Sequence, residues 1–202
     1  IYEEGLIPDD VASVQTSTVR EIARNLLISI REDDLLRAAE AGTRNAEAYD
    51  LFLRSLTLAP EDALPLALEA VGRAPDFLLA HWWLARIYGE IHQYGERTEA
   101  TAAATMSHAR RAIEIDPNSP DAIMAMAWAS YRTRDWEGAQ RWLNQVRGAP
   151  RTEHQYLVLS AYLSRRRNDW DEAHDALLGA IELDPNSSSL RSQHAQTLLA
   201  MR

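Results

Sequence analysis

Two short stretches of this chain occur twice. Arg134 to Ala139 reads RDWEGA, and 34 residues later Asn168 to Ala173 reads NDWDEA. Ile113 to Ser119 reads IEIDPNS, and 68 residues later Ile181 to Ser187 reads IELDPNS. The second spacing is twice the first, so the chain carries a period of 34. A unit of that length holds one supersecondary element, which cannot bury its apolar face alone and must stack on its neighbours. The expected core is therefore a line running through an array, not a single central nucleus.

The units read as helix pairs. Asn45 is a good N-cap for a helix over 46–58. Pro60, followed by Glu61 and Asp62, starts a helix to Arg73, because Pro at the first helical position lacks only a redundant N–H. Asp76 is placed to cap a helix over 77–91 that carries Trp82, Trp83 and Tyr88. Gly89 and Gly95 bracket a break in the period, since Pro75 to Pro117 spans 42 residues. The second helix of that unit is expected over 98–115. Ser119 caps 120–132, Asp135 caps 136–146, Thr152 or Glu153 opens a helix to Arg166, Asp169 caps 170–183, and a last helix covers 188–201. Asp-Pro at 116–117 and 184–185 ends second helices, because Pro cannot continue a helix and disfavours helical geometry at the residue before it. Ala139 and Ala173, three residues after a Trp, and Ala112 and Ala180 should let helices approach closely. Trp136 and Trp170 should pack across their pairs.

Before residue 44 the apolar residues Val11, Val14, Val19, Ile22, Leu26 and Ile30 fall at helical spacing. A short second helix after Asp33 and Asp34 should end at Gly42. The chain is thus expected to divide into a helical leader, 1–43, and an array, 44–202. Ile1 rather than Met opens the sequence, so it reads as a piece of a longer chain.

Composition narrows the function. The net charge is -9, with 9 acids against 4 Arg in 1–43 and 21 acids against 17 Arg in 44–202. Without a basic stripe, such a chain is repelled by a duplex, so no direct nucleic-acid binding is expected. No apolar run approaches the ~20 residues of a membrane span. There is no cysteine, which excludes thiol catalysis and thiolate metal sites and fits a cytoplasmic location. The six histidines show no metal-ligand spacing, and no metal is expected around Glu90, His92, Glu96 and Glu99. His81 and His194 fall on core-facing positions and read as structural. No phosphate-cradling loop, nucleophile elbow or paired-His zinc motif is present, so neither an enzyme nor a cofactor is expected.

Leu84, Ala85 and Tyr88 in a first helix, and Ala173, Leu177, Ala180 and Pro185 in a second, resemble the tetratricopeptide repeat (TPR) signature. The resemblance covers 44–202. It implies an all-α superhelix of about four helix pairs plus a final helix, here preceded by the two leader helices. His81 at the usual Trp position, Ala85 and Ala127 in place of Gly, and Pro150 one residue early depart from the pattern. A second resemblance rests on Asn45 to Arg54 (NAEAYDLFLR), the lengthened unit at 77–117, and the preceding 10–27 helix with Val14-Gln15. These resemble one region of large bacterial multidomain regulators, in which a winged-helix DNA-binding domain or a class III adenylate cyclase domain often precedes the array. That likeness implies that residues 1–30 are the tail of a preceding domain and that the array is the sensing or docking half of a signalling or transcription protein.

TPR first helices line a concave face that usually binds peptides, and periodicity sends Trp82, Arg86, Trp128, Arg132, Tyr162, Arg165 and Arg166 toward it. Aromatic rings beside guanidinium groups suit a peptide or protein partner with an acidic group or a free C-terminus. The run Arg165-Arg166-Arg167 also reads as a solvated helix C-terminus favoured by the dipole. Two other functions fit the residues: a spacer or self-associating homo-oligomer, through the unpaired final helix, and a small-molecule sensor at the irregular 89–105 segment.

Overall fold

The structure, a computed structural model, describes residues 42–95 and 97–201. The two expected leader helices and Glu96 lie outside the described residues. Nine α-helices follow one another with no strand among the described residues. They are α1 (Ala46–Ser55), α2 (Pro60–Arg73), α3 (Leu78–Tyr94), α4 (Glu99–Ile115), α5 (Pro120–Arg132), α6 (Trp136–Gln145), α7 (Glu153–Arg166), α8 (Trp170–Leu183) and α9 (Ser188–Ala200). A 3-10 turn, Pro150–Thr152, leads into α7. Successive helices pack as the pairs α1/α2, α3/α4, α5/α6 and α7/α8, each pair lies on the next, and α9 covers α8. This is the expected all-α superhelix.

Side-chain caps set most helix starts. Asn45 accepts from the Ala48 amide at 3.0 Å, Asp135 from Gly138 at 2.8 Å and Asp169 from Glu172 at 3.1 Å. Each satisfies an amide that the helix leaves unpaired, a contribution of about 1 kcal/mol. Thr98, Ser119 and Ser187 act in the same way.

The repeated Arg134-Asp135-Trp136 and Asn168-Asp169-Trp170 segments form one turn twice. Arg134 and Asn168 both take the left-handed conformation, with φ of 68° and 61°. The Asp135 amide donates to the Ser130 carbonyl at 2.9 Å, and the Asp169 amide donates to Ser164 at 2.9 Å. The Arg134 and Asn168 amides donate to Tyr131 and Arg165. Those two bonds are a Schellman closure, which satisfies the last carbonyls of the first helix. One Asp therefore ends a helix through its backbone and starts the next through its side chain.

Three boundaries differ from the sequence reading. α1 ends at Ser55, because the Leu56, Thr57 and Leu58 amides take short-range bonds that unwind the last turn before Pro60. α3 continues past Ile91 to Tyr94 and ends at Gly95. Gly89 is buried inside α3, and a Cβ there would lie 3.3 Å from Arg132 Cγ; the glycine lets the arginine stem lie on the helix. Asp76 does not cap α3, whose N-cap position is Phe77 and which has no side-chain cap, and instead pairs with Arg111.

The core is a line of clusters. Ala48, Phe52, Ala67, Phe77 and Leu84 join the first two pairs. Ala85, Ala109, Ala125 and Ala129 lie where α3 and α4 meet α5. Met124, Leu143, Leu159 and Leu163 join the third pair to α7, and Ala161, Leu177, Ala180 and Leu190 seal α7, α8 and α9. Ala112, Ala139, Ala173 and Ala180 are fully buried, as their close-approach positions require. His81 is buried and donates through Nε2 to the Pro75 carbonyl at 3.0 Å. That bond leaves its Nδ1 to accept from His108 Nδ1 at 3.0 Å. His194 meets His174 at 2.9 Å. Trp136 packs edge-on against Tyr131 at 5.1 Å. Trp170 does not match it: its ring is half-buried and faces a cavity rather than the hydrophobic clusters.

Candidate functional site in the concave groove

The first helices α3, α5 and α7, with α9, line a groove of about 390 Å³ on the concave face. Trp82 and Arg86 reach it from α3, Trp128 and Arg132 from α5, and Tyr162 from α7. Arg165 and Arg166 do not join them. They line a second compartment of about 440 Å³ with Gln93, Tyr131, Trp170 and Gln196. Tyr94, Tyr162 and Gln193 border both spaces and stand between them.

Local sequence explains the convergence. Trp82, Arg86, Glu90 and Tyr94 are spaced by four along α3, so they form one stripe. Trp128 and Arg132 repeat that step on α5, and Val158 and Tyr162 on α7. Trp128 sits edge-on to Tyr162 at 5.8 Å and to Tyr131 at 5.9 Å, with planes near perpendicular. This is the arrangement that aromatic quadrupoles favour.

The arginines are held differently. Arg132 has only 12% of its side chain exposed. It donates to Gln93 Oε1 at 2.5 Å, lies 3.9 Å from Glu90 Oε1, and stands over the Tyr94 and Trp128 rings at 5.7 and 5.5 Å. Arg86 donates through Nε to the same Glu90 oxygen at 3.1 Å and lies over the Trp83 ring at 5.1 Å. Glu90 thus neutralises one of two positive charges in the first compartment. Arg166 lies over Trp136 at 4.6 Å. No ion pair joins either Arg165 or Arg166 to a carboxylate among the described residues, and no acid lines the second compartment.

Two groove residues carry buried polar atoms without a hydrogen-bond partner among the described residues, His154 Nε2 and Gln193 Oε1. Such atoms are uncommon in folded proteins. Burial pushes the Tyr162 hydroxyl up in pKa, so it stays a neutral donor at the compartment boundary. Sequence reasoning missed Glu90, Tyr94, His154 and Gln193. The four-residue stripe from Trp82 and Arg86 reaches Glu90 inside the expected 77–91 helix, and the end placed at Ile91 leaves out only Tyr94.

No group of three or more His, Cys, Asp or Glu side chains among the described residues is arranged to hold a metal ion. No helix of the described residues is long and apolar enough to cross a membrane. No protein-family model and no curated protein matches the chain. Among solved structures, a thermophilic TPR protein from Thermus thermophilus is similar, with a TM-score of 0.61 and 19% identity over 82% of this chain and 87% of that one. That likeness, with the paired helices and the 34-residue period, shows a TPR-type superhelical fold.

Proposed function

We propose that the array is a protein–protein interaction module that docks an extended segment of a partner protein along its concave groove. The convergence of Trp82, Trp128, Tyr94 and Tyr162 with Arg86 and Arg132 from separate helices carries this reading. Aromatic and arginine side chains dominate binding energy where proteins meet. The unpaired His154 and Gln193 atoms support it, because a bound backbone could supply their partners. The resemblance of 45–54 and of the lengthened α3/α4 pair to bacterial regulators supports a regulatory role beside a signalling or transcription domain.

Capture by the immobilised chain tests this reading. The double change Trp82→Ala and Trp128→Ala should abolish capture of a partner retained by the wild type, while helical circular dichroism is kept. Undiminished capture by a folded double variant sinks the groove assignment.

A second reading, self-association, is favoured by Leu183, Leu198, Leu199 and Met201, which are exposed on α8 and α9, Leu199 by 66%. Sedimentation equilibrium separates the two. A monomer at every concentration retires self-association, whereas a dimer dissolved by Leu199→Glu would favour it.

A further inference from the structure

The two compartments differ in charge compensation, and this difference says which side chain of a partner each one takes. In the first, the carboxylate is already present. Glu90 bonds Arg86 and faces Arg132, and Gln93 takes a further Arg132 donor. A ligand carboxylate entering there would meet Glu90 as a like charge. Around those satisfied groups stand Trp82, Trp128, Tyr94 and Tyr162, so that space favours an apolar or aromatic side chain.

The second compartment has the opposite character. Arg165 is half-buried, yet it has no carboxylate partner among the described residues. The other half-buried arginines, Arg111 and Arg132, both face one. Arg166 is oriented by its stacking on Trp136, which leaves its edge donors free. The rest of the lining is tyrosine, glutamine and Trp170, with no acid. A half-buried Arg165 beside an exposed Arg166, neither with a counter-charge among the described residues, is a site for an anion. A carboxylate accepts two parallel N–H bonds from a guanidinium.

We infer that the groove reads a bulky apolar side chain in the first compartment and an acidic side chain in the second, on one extended acidic segment of a protein partner. Arg165, with Arg166, is the determinant of the acid. Arg132, over the Tyr94 and Trp128 rings, positions the aromatic walls. The Tyr94, Tyr162 and Gln193 boundary sets the spacing between the two recognised side chains. This rests on the docking reading above and assigns its chemistry.

The experiment is fluorescence anisotropy on the full chain with three fluorescein-labelled synthetic decapeptides. One carries Trp followed three residues later by a Glu pair, the second has Gln for both Glu, and the third has Ala for Trp. The Glu peptide should bind about tenfold more tightly than the Gln peptide, as expected for one charge-assisted bidentate contact. Arg165→Gln should erase most of that preference, weakening the Glu peptide far more than the Gln peptide. Trp128→Ala should weaken the Glu and Gln peptides alike. Equal affinity for the Glu and Gln peptides, or a full preference retained by folded Arg165→Gln, overturns the charge assignment. If Trp128→Ala still weakens the peptides in that case, the docking reading survives it. If no peptide binds, or Trp128→Ala changes none of them, both fail. A peptide-reversible dimer in sedimentation would give the acidic segment to a second copy and overturn the partner assignment.

Discussion

Between α3 and α5 the array closes on alanine, and between α5 and α7 it closes on aromatic rings. At the first junction Ala85, Ala125 and Ala129 are almost fully buried, and the two helices run against each other. Small side chains permit that approach because interaxial distance follows the residues at the contact. At the second, the backbones of α5 and α7 meet at few positions. Trp128, Tyr131 and Tyr162 stand between them with centroids 5.7 to 5.9 Å apart. The second helices show the cause. α4 has 17 residues and α8 has 14, but α6 has 10. Val146 ends α6 without the Asp-Pro stop of its counterparts, and Gly148 (φ 76°) and the 3-10 turn lead the chain into α7. A shortened second helix gives its neighbour less to pack on. The rings that fill the gap also wall the groove, so one irregularity produces both the weak seam and the candidate site.

The seam can be attacked directly. Leu159 is fully buried on α7 against the α5/α6 core. Leu159→Ala should cost about 2–5 kcal/mol, the range for truncation in a core that relaxes only partly. In a linear array the loss should be local. Amide exchange in α7–α9 should accelerate more than in α1–α4. Uniform acceleration along the chain would mean the two junctions are equally coupled.

The tight junction should fail differently. Ala129 is 1% exposed, so Ala129→Leu should overpack it and cost about 1–3 kcal/mol by urea denaturation. Tyr162→Phe at the open junction removes only a hydroxyl and should cost less than about 1 kcal/mol. Near-equal values for the two would remove the distinction between an alanine seam and an aromatic one.

Acid should loosen the tightly packed half through His81 and His108. Burial, then the facing His81, lowers His108 from 6.5 to about 4. Burial also lowers His81, as does Arg111, while the Pro75 carbonyl, Asp76 and Glu114 oppose the shift. Both imidazoles are thus held neutral when folded. The unfolded chain takes up protons first, so this contribution is complete above about pH 6.5 and is lost as pH falls toward about 4. Melting temperature should drop across that window, and His108→Phe should flatten the drop. The same slope in that variant would place the acid sensitivity elsewhere, for instance at His194, which burial and His174 also lower.

Much of this was legible in the residues. The period, the helix pairs, and starts such as Pro60, Ser119, Asp135 and Asp169 follow from local chemistry, because a cap or a proline acts within one turn. The inward direction of Trp82, Arg86, Trp128, Arg132 and Tyr162 follows from helical spacing. Glycine is a poor helix residue, so nothing local explains Gly89 inside the expected 77–91 helix. Its reason for standing in α3 lies on another helix, in the stem of Arg132, and no local rule sees that. The placement of Arg165 and Arg166 in a separate compartment depends on α9 returning Gln193 against Tyr94 and Tyr162. Trp136 and Trp170 occupy the same repeat position, yet only Trp136 has an arginine stacked on it, from the following unit. Repeat position fixes the backbone of such residues, and the next unit fixes their surroundings.

The smallest expected effect isolates backbone from surroundings. Arg134 and Asn168 hold the same place in the same turn, both with positive φ. Asparagine tolerates that conformation, whereas a long side chain is strained by its Cβ against the following carbonyl. Arg134 is exposed and makes no ion pair among the described residues, so its side chain offsets none of the strain. Arg134→Asn should therefore stabilise the chain by about 0.5–1 kcal/mol, and Asn168→Arg should destabilise it by a similar amount. Both are read as shifts of the urea midpoint at constant slope. If the two changes are equal and opposite, the Schellman turn is one element used twice, and the difference between the seams begins beyond it, at the end of α6. If Arg134→Asn is neutral while Asn168→Arg is costly, the turn at the open seam relaxes to accept either residue. The looseness between α5 and α7 would then begin at Thr133-Arg134, in the turn that joins α5 to α6.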